Sequence, residues 1–123
     1  MWARVREVLK DYPWLVFEKN NKVIGYAYAS KWKARSAYRF SAESTIYLHH
    51  NYIGIGVGTM LYQALIEDVK KRDVHRLIAG IALPNEPSIA LHERQGFTKC
   101  AQFNEVGFKQ NRWIDVGYWE KHL

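Results

Sequence analysis

A single cysteine, Cys100, in 123 residues excludes an internal disulfide and any multi-cysteine zinc centre, and it fits a reducing, cytoplasmic setting. No apolar run approaches the roughly 20 residues needed to span a bilayer. The start, Met1-Trp2-Ala3-Arg4-Val5-Arg6-Glu7, carries charge where a signal peptide would have its apolar core. A soluble, unexported protein with no membrane partner is therefore expected. The net charge of +6 lacks any long basic block, since Lys31, Lys33, Arg35, Arg39, Lys70, Lys71 and Arg72 are spread out, and no nucleic-acid motif accompanies them. A polyanionic small molecule suits that charge, and nucleic acid is not expected. His49 and His50 are adjacent on an expected strand and would point to opposite faces, so they make a poor metal pair and no metal is expected. With no repeat, low-complexity segment or linker, residues 1–123 read as one domain. Cys100 itself reads as a small buried hydrophobe.

What is present is the material of a folded core: 48% hydrophobic residues, with five Trp and eight Tyr. The chain is organised around residues 43–72. A β-rich run, Glu43 to Asn51, leads through glycines at positions 54, 56 and 58 into a segment with apolar residues at Leu61, Leu65 and Val69, one helix face. Strand, glycine loop, helix is an anion-binding order. Glycines let the backbone approach a ligand, and the first helical turn aims unpaired N–H groups and the positive dipole end at it. The loop lacks the Gly-Lys-Ser/Thr of a P-loop, and Thr59 stands where G-x-G-x-x-G would need its last glycine. Both nucleotide fingerprints fail.

Along the chain, Trp2, Val5, Leu9 and Tyr12 at near-helical spacing predict a short amphipathic helix ended by Pro13. Residues 14–17 and 23–29 predict a hairpin of two strands, apolar on both faces and hence a sheet covered on both sides. Residues 31–41 read as a polar surface loop, and 42–49 as the central strand. A helix to about Arg72 and a buried strand over 77–83 follow. Ser88 is the expected N-cap of a short helix over 89–94 that stops at Gly96. Two last strands, 97–103 and 114–120, are joined by a loop over 107–112. The sum is an α/β or α+β domain with a mixed central sheet flanked by helices.

Gly56-Val57-Gly58 resembles the Q/R-x-x-G-x-G/A loop of the GNAT superfamily of N-acetyltransferases. Further motifs resemble one branch of it, the phosphinothricin and methionine sulfoximine N-acetyltransferases: Tyr12-Pro13-Trp14, residues 25–29, Ala42-Glu43-Ser44-Thr45-Ile46-Tyr47, residues 83–88, Leu91-His92-Glu93, Gly96-Phe97 and residues 113–119. The resemblance covers nearly the whole chain and implies the GNAT acyl-CoA N-acyltransferase fold, N-terminally shortened, because the family has a strand and a helix before the point where Met1 falls. It implies acetyl-CoA as co-substrate, a small-molecule amine as acceptor and a homodimer. Ile46, Tyr47 and Leu48 match backbone that pairs with the pantetheine arm. Gly54, Ile55, Gly56, Val57, Gly58 and Thr59 match the pyrophosphate loop, although Ile53 replaces its usual Gln or Arg. Asn85 matches the asparagine near the thioester. Glu43 matches the general base, and His92 the residue that orients substrate or protonates the departing sulfur. Lys33, Ala34 and Arg35, with Glu43, Ser44 and Thr45, match substrate-binding segments.

Thioester aminolysis asks for these residue types. A protonated α-amine needs a base, which a carboxylate supplies directly or through water, and the oxyanion needs an N–H donor such as backbone near Leu48. The expected reaction is acetyl transfer to the α-amine of phosphinothricin, methionine sulfoximine or methionine sulfone. Another small amine as acceptor, or an impaired acyl-CoA-binding remnant, are the alternatives. Each residue also has a plainer reading: Glu43 as a salt-bridged strand carboxylate, His92 as a helix histidine packed on an aromatic ring, Asn85 as a turn and cap, Lys33 and Arg35 as solvated charges.

Overall fold

The structure is a computed structural model that describes residues 3–9, 13–33, 35–52 and 56–123, with 3–9 and His50 described by backbone alone. These form seven strands, β1 (Ala3–Leu9), β2 (Trp14–Lys19), β3 (Lys22–Lys31), β4 (Ser41–Leu48), β5 (Arg76–Ala82), β6 (Thr98–Lys109) and β7 (Arg112–His122), and two helices, α1 (Val57–Lys70) and α2 (Glu86–Arg94). The sheet order is β1-β2-β3-β4-β5-β7-β6, antiparallel throughout except for the parallel pair β4–β5. That pair is joined through α1, as a parallel connection requires a crossover. The mixed sheet expected from the alternation of elements is present.

The stripe on α1 is broader than the three residues that announced it: Val57, Leu61, Tyr62, Leu65, Ile66 and Val69 are all buried. It lies on β2, β3 and β4, over Leu15, Phe17, Ala27, Ala29 and Ala42. The small residues of β3 and β4 let the helix settle close to the sheet. Helix α2 packs beside α1, with His92 and Phe97 edge-on to the Tyr62 ring at 5.0 and 5.4 Å. Trp119 of β7 closes this core and donates its indole N–H to Glu93 at 3.1 Å.

Four expectations need correction. The segment expected to be an N-terminal helix is strand β1, paired with β2 from Ala3↔Lys19 to Leu9↔Trp14. Its helical spacing competes with the alternation of residues 3, 5, 7 and 9, and a run this short is decided by the neighbour that satisfies its backbone. The sheet is not helix-covered on both faces among the described residues. Opposite α1, Trp14, Tyr28, Tyr26 and Tyr47 stack on one another, with Trp14 and Tyr28 4.2 Å apart and Tyr26 and Tyr47 5.3 Å apart. Helix α2 begins at Glu86 with Asn85 as its N-cap, the Asn85 side chain accepting from the Ser88 N–H at 3.2 Å. Finally, β6 and β7 run past the expected loop to a two-residue turn at Gln110 and Asn111, both with positive φ. Two smaller differences follow: His49 and His50 lie beyond the end of β4, and Cys100 is exposed on β6.

Candidate active site

The parallel pairing of β4 with β5 covers only Ser41↔Arg76, Ala42↔Leu77 and Glu43↔Ile78. Beyond Glu43 both strands continue, to Leu48 and Ala82, without pairing to each other. The strands part there, and Glu43 sits at the fork. On its other edge β4 stays paired to β3 as far as Gly25↔Leu48, and the His49 N–H bonds back to the Ile24 carbonyl at 2.8 Å. By the period of two along a strand, the N–H groups of Ile46 and Leu48 face the opened side.

A cavity of about 510 Å³ occupies that opening. Its walls are Ile46, Tyr47 and Leu48 of β4, then Gly56, Gly58 and Thr59 at the start of α1, then Asn85 and one face of α2. Gly56 precedes α1 with φ +89°, a left-handed turn that favours glycine. A Cβ on Gly58 would come within 3.0 Å of Leu91 and 3.1 Å of Leu48, so a missing side chain lets β4, α1 and α2 meet at the helix N-terminus. Apolar walls, an open strand edge and free helical N–H groups suit an extended ligand with an anionic end.

The structure brings Ile46, Tyr47, Leu48, Gly56, Gly58, Thr59 and Asn85 to one cavity. Val57 is buried in the core instead. Gly54, Ile55 and Ala34 lie outside the described residues, as do Tyr12 and Ile53. Glu43 is half-buried; desolvation pushes its carboxyl above the usual carboxylate range, and the Lys33 charge pulls it back down. Thr45 shares that face of β4. Lys33 and Arg35 are exposed and line, with Trp32 and Tyr38, a second open hollow of about 450 Å³. Lys33 rests its ammonium 4.8 Å from the centre of the Trp32 ring.

Two predicted site residues point into the core. Ser44 is buried, its hydroxyl 2.6 Å from the Tyr62 hydroxyl, which burial holds above its ordinary pKa. His92 is buried too. Its Nδ1 is 2.7 Å from the Ser88 carbonyl oxygen, which can only accept, so Nδ1 carries the proton. Burial lowers the His92 pKa more than this hydrogen bond raises it. No buried side-chain N or O atom among the described residues lacks a partner, so the open His92 Nε2 retains contact with solvent. Sequence reasoning missed Tyr62 and Arg94. Tyr62 had the helical spacing of a core residue and gave no other signal; Arg94 lines the cavity, which the helix register from Asn85 would have revealed.

Comparisons with known proteins bear on the family and the fold. The phosphinothricin N-acetyltransferase of Streptomyces viridochromogenes is 41% identical over 121 residues, which are 98% of this chain and 66% of that protein. The L-methionine sulfoximine/L-methionine sulfone acetyltransferase of Salmonella typhimurium is 37% identical over 122 residues, 99% of this chain and 71% of that one. The chain thus spans about two thirds of the length of these relatives. Among solved structures, a Salmonella typhimurium acetyltransferase with its cofactor acetyl-CoA superposes with a TM-score of 0.87 at 38% identity, over 91% of this chain and 65% of that one. A Sinorhizobium meliloti phosphinothricin acetyltransferase in complex with acetyl-CoA gives 0.85 at 37% identity, over 91% and 61%. Residues 2–97 match the Acetyltransferase (GNAT) family. The fold is that of the GNAT acyltransferases, and the chain belongs to the acetyltransferase (GNAT) family.

Proposed function

We propose that this protein transfers acetyl from acetyl-CoA to the α-amine of a small amino-acid analogue such as phosphinothricin, methionine sulfoximine or methionine sulfone. One observation carries the reading: beyond Glu43, where β4 stops pairing with β5, a cavity walled by Ile46, Tyr47 and Leu48 runs to the N-terminus of α1, and Glu43 lies three residues before that wall on the same strand. The relatives' names support the acceptor class. The open strand edge is the place for the pantetheine arm, and the Gly56–Thr59 turn for the phosphates. No residue of the cavity calls for a metal, and no group of three His, Cys, Asp or Glu side chains gathers among the described residues.

In this reading Glu43 takes a proton from the substrate ammonium. A carboxylate with a raised pKa is the better base, provided the pH keeps it ionised. The freed amine nitrogen attacks the thioester carbon, and a β4 backbone N–H facing the opening stabilises the oxyanion. The tetrahedral intermediate then collapses, the C–S bond breaks, and the thiolate leaves and takes up, directly or through water, the second proton that the attacking nitrogen loses as the neutral amide forms. Lys33 and Arg35 attract the substrate's carboxylate or phosphinate, and Thr45 lines the approach. Ser44 contributes through its backbone, because its hydroxyl is engaged with Tyr62. His92 is a positioning residue: its neutral Nε2 accepts a hydrogen bond from substrate or ordered water. Asn85 caps α2 with its oxygen and keeps its amide N–H groups for the thioester end. The single exposed thiol fits a cytoplasmic enzyme, and the exposed apolar hairpin of β6 and β7 fits a homodimer.

The test is free-thiol release from acetyl-CoA against phosphinothricin, methionine sulfone and simple polyamines. Turnover confined to the amino-acid analogues is expected, with Glu43→Gln lowering kcat/KM by about a hundredfold or more and His92→Ala by less. Because Glu43 must be ionised to act and its pKa is raised from 4.5, activity is expected to climb with pH through a limb above that value. Lys33→Met removes the charge that lowers it and moves the limb higher. Full activity in Glu43→Gln removes the base; turnover of polyamines alone changes the acceptor; CoA binding without thiol release leaves a cofactor-binding fold.

A further inference from the structure

We infer that His75 and His122 form a two-imidazole site for a divalent transition-metal ion, at the end of the sheet remote from the cavity and independent of the acetyl-CoA reading. His75 is the residue before β5, and His122 is the last of β7. Their rings lie 4.5 Å apart, centre to centre, and are inclined at 69°. A ring nitrogen lies about 1.1 Å from its ring centre and about 2.1 Å from a bound ion, so two imidazoles at right angles about one ion have centres about 4.5 Å apart. A tetrahedral angle would set the centres about 5.2 Å apart. The observed separation is that of adjacent ligands on a square-planar or octahedral ion, the geometry of Cu²⁺ and Ni²⁺.

The backbone of both residues is fixed before any ion arrives. Arg76 pairs with His122 across β5 and β7, and the Leu123 N–H donates to the His75 carbonyl at 3.0 Å. On its other side the His75 N–H donates to the Phe40 carbonyl at 2.7 Å. Only side-chain torsions remain to be set, so little ordering opposes binding. Both residues are exposed, and among the described residues each ring has the other as its side-chain partner. Neutral imidazole is the commonest metal ligand among side chains. The nearby cations are engaged elsewhere: Arg76, opposite His122, stands 3.7 Å from the Glu120 carboxylate, and Lys121 turns to the other face with its ammonium beside Gly96. Glu120 is occupied by the same pairing, so water completes the ion's shell and the ion exchanges readily. Strands β4 and β5 are paired at this end and part only beyond Glu43↔Ile78, which puts the ion and the cavity at opposite ends of β5. An ion here clips the start of β5 to the end of β7. The plainer reading is a ring contact edge to face, which needs no ion and predicts no metal binding at all.

The experiment is calorimetric titration of the protein, free of any histidine tag, with NiCl₂, ZnCl₂ and MgCl₂, followed by thermal melts with and without each salt. One Ni²⁺ per chain is expected, bound more tightly than Zn²⁺, with Mg²⁺ not bound, and saturation with Ni²⁺ is expected to raise the melting temperature by a few degrees. His75→Asn and His122→Asn are each expected to weaken Ni²⁺ at least tenfold and to abolish the rise. Cys100→Ser is expected to change neither, since its sulfur lies on β6 against the Tyr118 carbonyl. Affinity is expected to fall as the pH is lowered, because protons compete for both imidazoles. Wild type that takes up no Ni²⁺ overturns the site. Binding that survives in both asparagine variants, or that is lost with Cys100→Ser, places the ion on other residues and overturns it as well. Loss in only one of the two asparagine variants means a single imidazole at work and overturns the pair.

Discussion

Ser44 and Tyr62 show how a residue beside the proposed base, Glu43, can be structural without being idle. The strand turns Glu43 to one face and Ser44 to the other, where its hydroxyl meets Tyr62 across the core at 2.6 Å. Tyr62 in turn presents its ring to the edges of His92 and Phe97, so one α1 side chain ties β4 to α2. Both hydroxyls are shut away from water, and removing either strands the other. Ser44→Ala and Tyr62→Phe are each expected to cost about 1–3 kcal/mol, the penalty for an orphaned buried polar group. The double variant leaves no orphan and is expected to be more stable than the sum of the singles. Urea unfolding of the four proteins closes that cycle. Strict additivity would mean that the 2.6 Å bond contributes nothing specific. His92 has a related constraint: its lowered pKa means the unfolded chain binds a proton more readily than the folded one. Its contribution to stability is therefore present above pH 6.5 and is lost as the pH falls through the folded pKa.

At the level of elements, the glycine turn and α1 matter because three elements converge on Gly58. A helical glycine is normally a weak point, and alanine there would gain propensity of up to about 1 kcal/mol, set against a Cβ that already presses on Leu91 and Leu48. Valine, however, adds bulk where Leu91 and Leu48 already stand 3.0 and 3.1 Å from the Cβ position. Gly58→Val is expected to destabilise by about 1–3 kcal/mol through overpacking, and to reduce the rise in melting temperature that CoA gives wild type. An unchanged melting temperature with and without CoA would show that the close approach is dispensable. This loop was legible in the sequence because its signal is local: glycines at alternate positions followed by a 3.6-residue period. Strands β2 to β5 were legible for the same reason, whereas the expectation that Ile46, Tyr47 and Leu48 line a site came from the family resemblance and not from a local period. The N-terminal segment was not, since Val5 and Leu9 satisfy both a helix period and a strand period, and pairing with β2 decided between them. The start of α2 was misplaced because Ser88 and Asn85 are both good caps, three residues apart, and only the hydrogen bond distinguishes them. The Ser44–Tyr62 bond joins residues 18 apart, which no local pattern encodes.

For the whole molecule, the sheet ends on β6, a twelve-residue edge strand whose hairpin with β7 carries Phe103, Val106, Phe108 and Trp113 at 55%, 59%, 58% and 61% exposure. Phe108 and Trp113 lie edge to face at 4.9 Å near the turn. Of the two tryptophans of β7, Trp119 is spent on the core and Trp113 stands in solvent, so the tryptophan content of that strand is only half available to a partner. Long, apolar edge strands without charge or proline to blunt them are rarely left bare, because they invite pairing. Charges flank this one: Lys99 bonds back to Gln102, and Lys109 lies next to the turn. The centre of the patch carries two acids, Glu105 and Asp115, and the Asp115 carboxylate is engaged by the Glu105 N–H. A second copy of the chain, meeting the same patch across a two-fold axis, would bury both sets of rings, as an isologous interface requires. Sedimentation equilibrium is therefore expected to give twice the chain mass at micromolar concentration, and Phe108→Glu with Trp113→Glu to give the monomer with its fold and CoA binding retained. Wild type sedimenting as a monomer across the micromolar range would remove the homodimer. A dimer that survives both glutamates would place its interface elsewhere on the sheet.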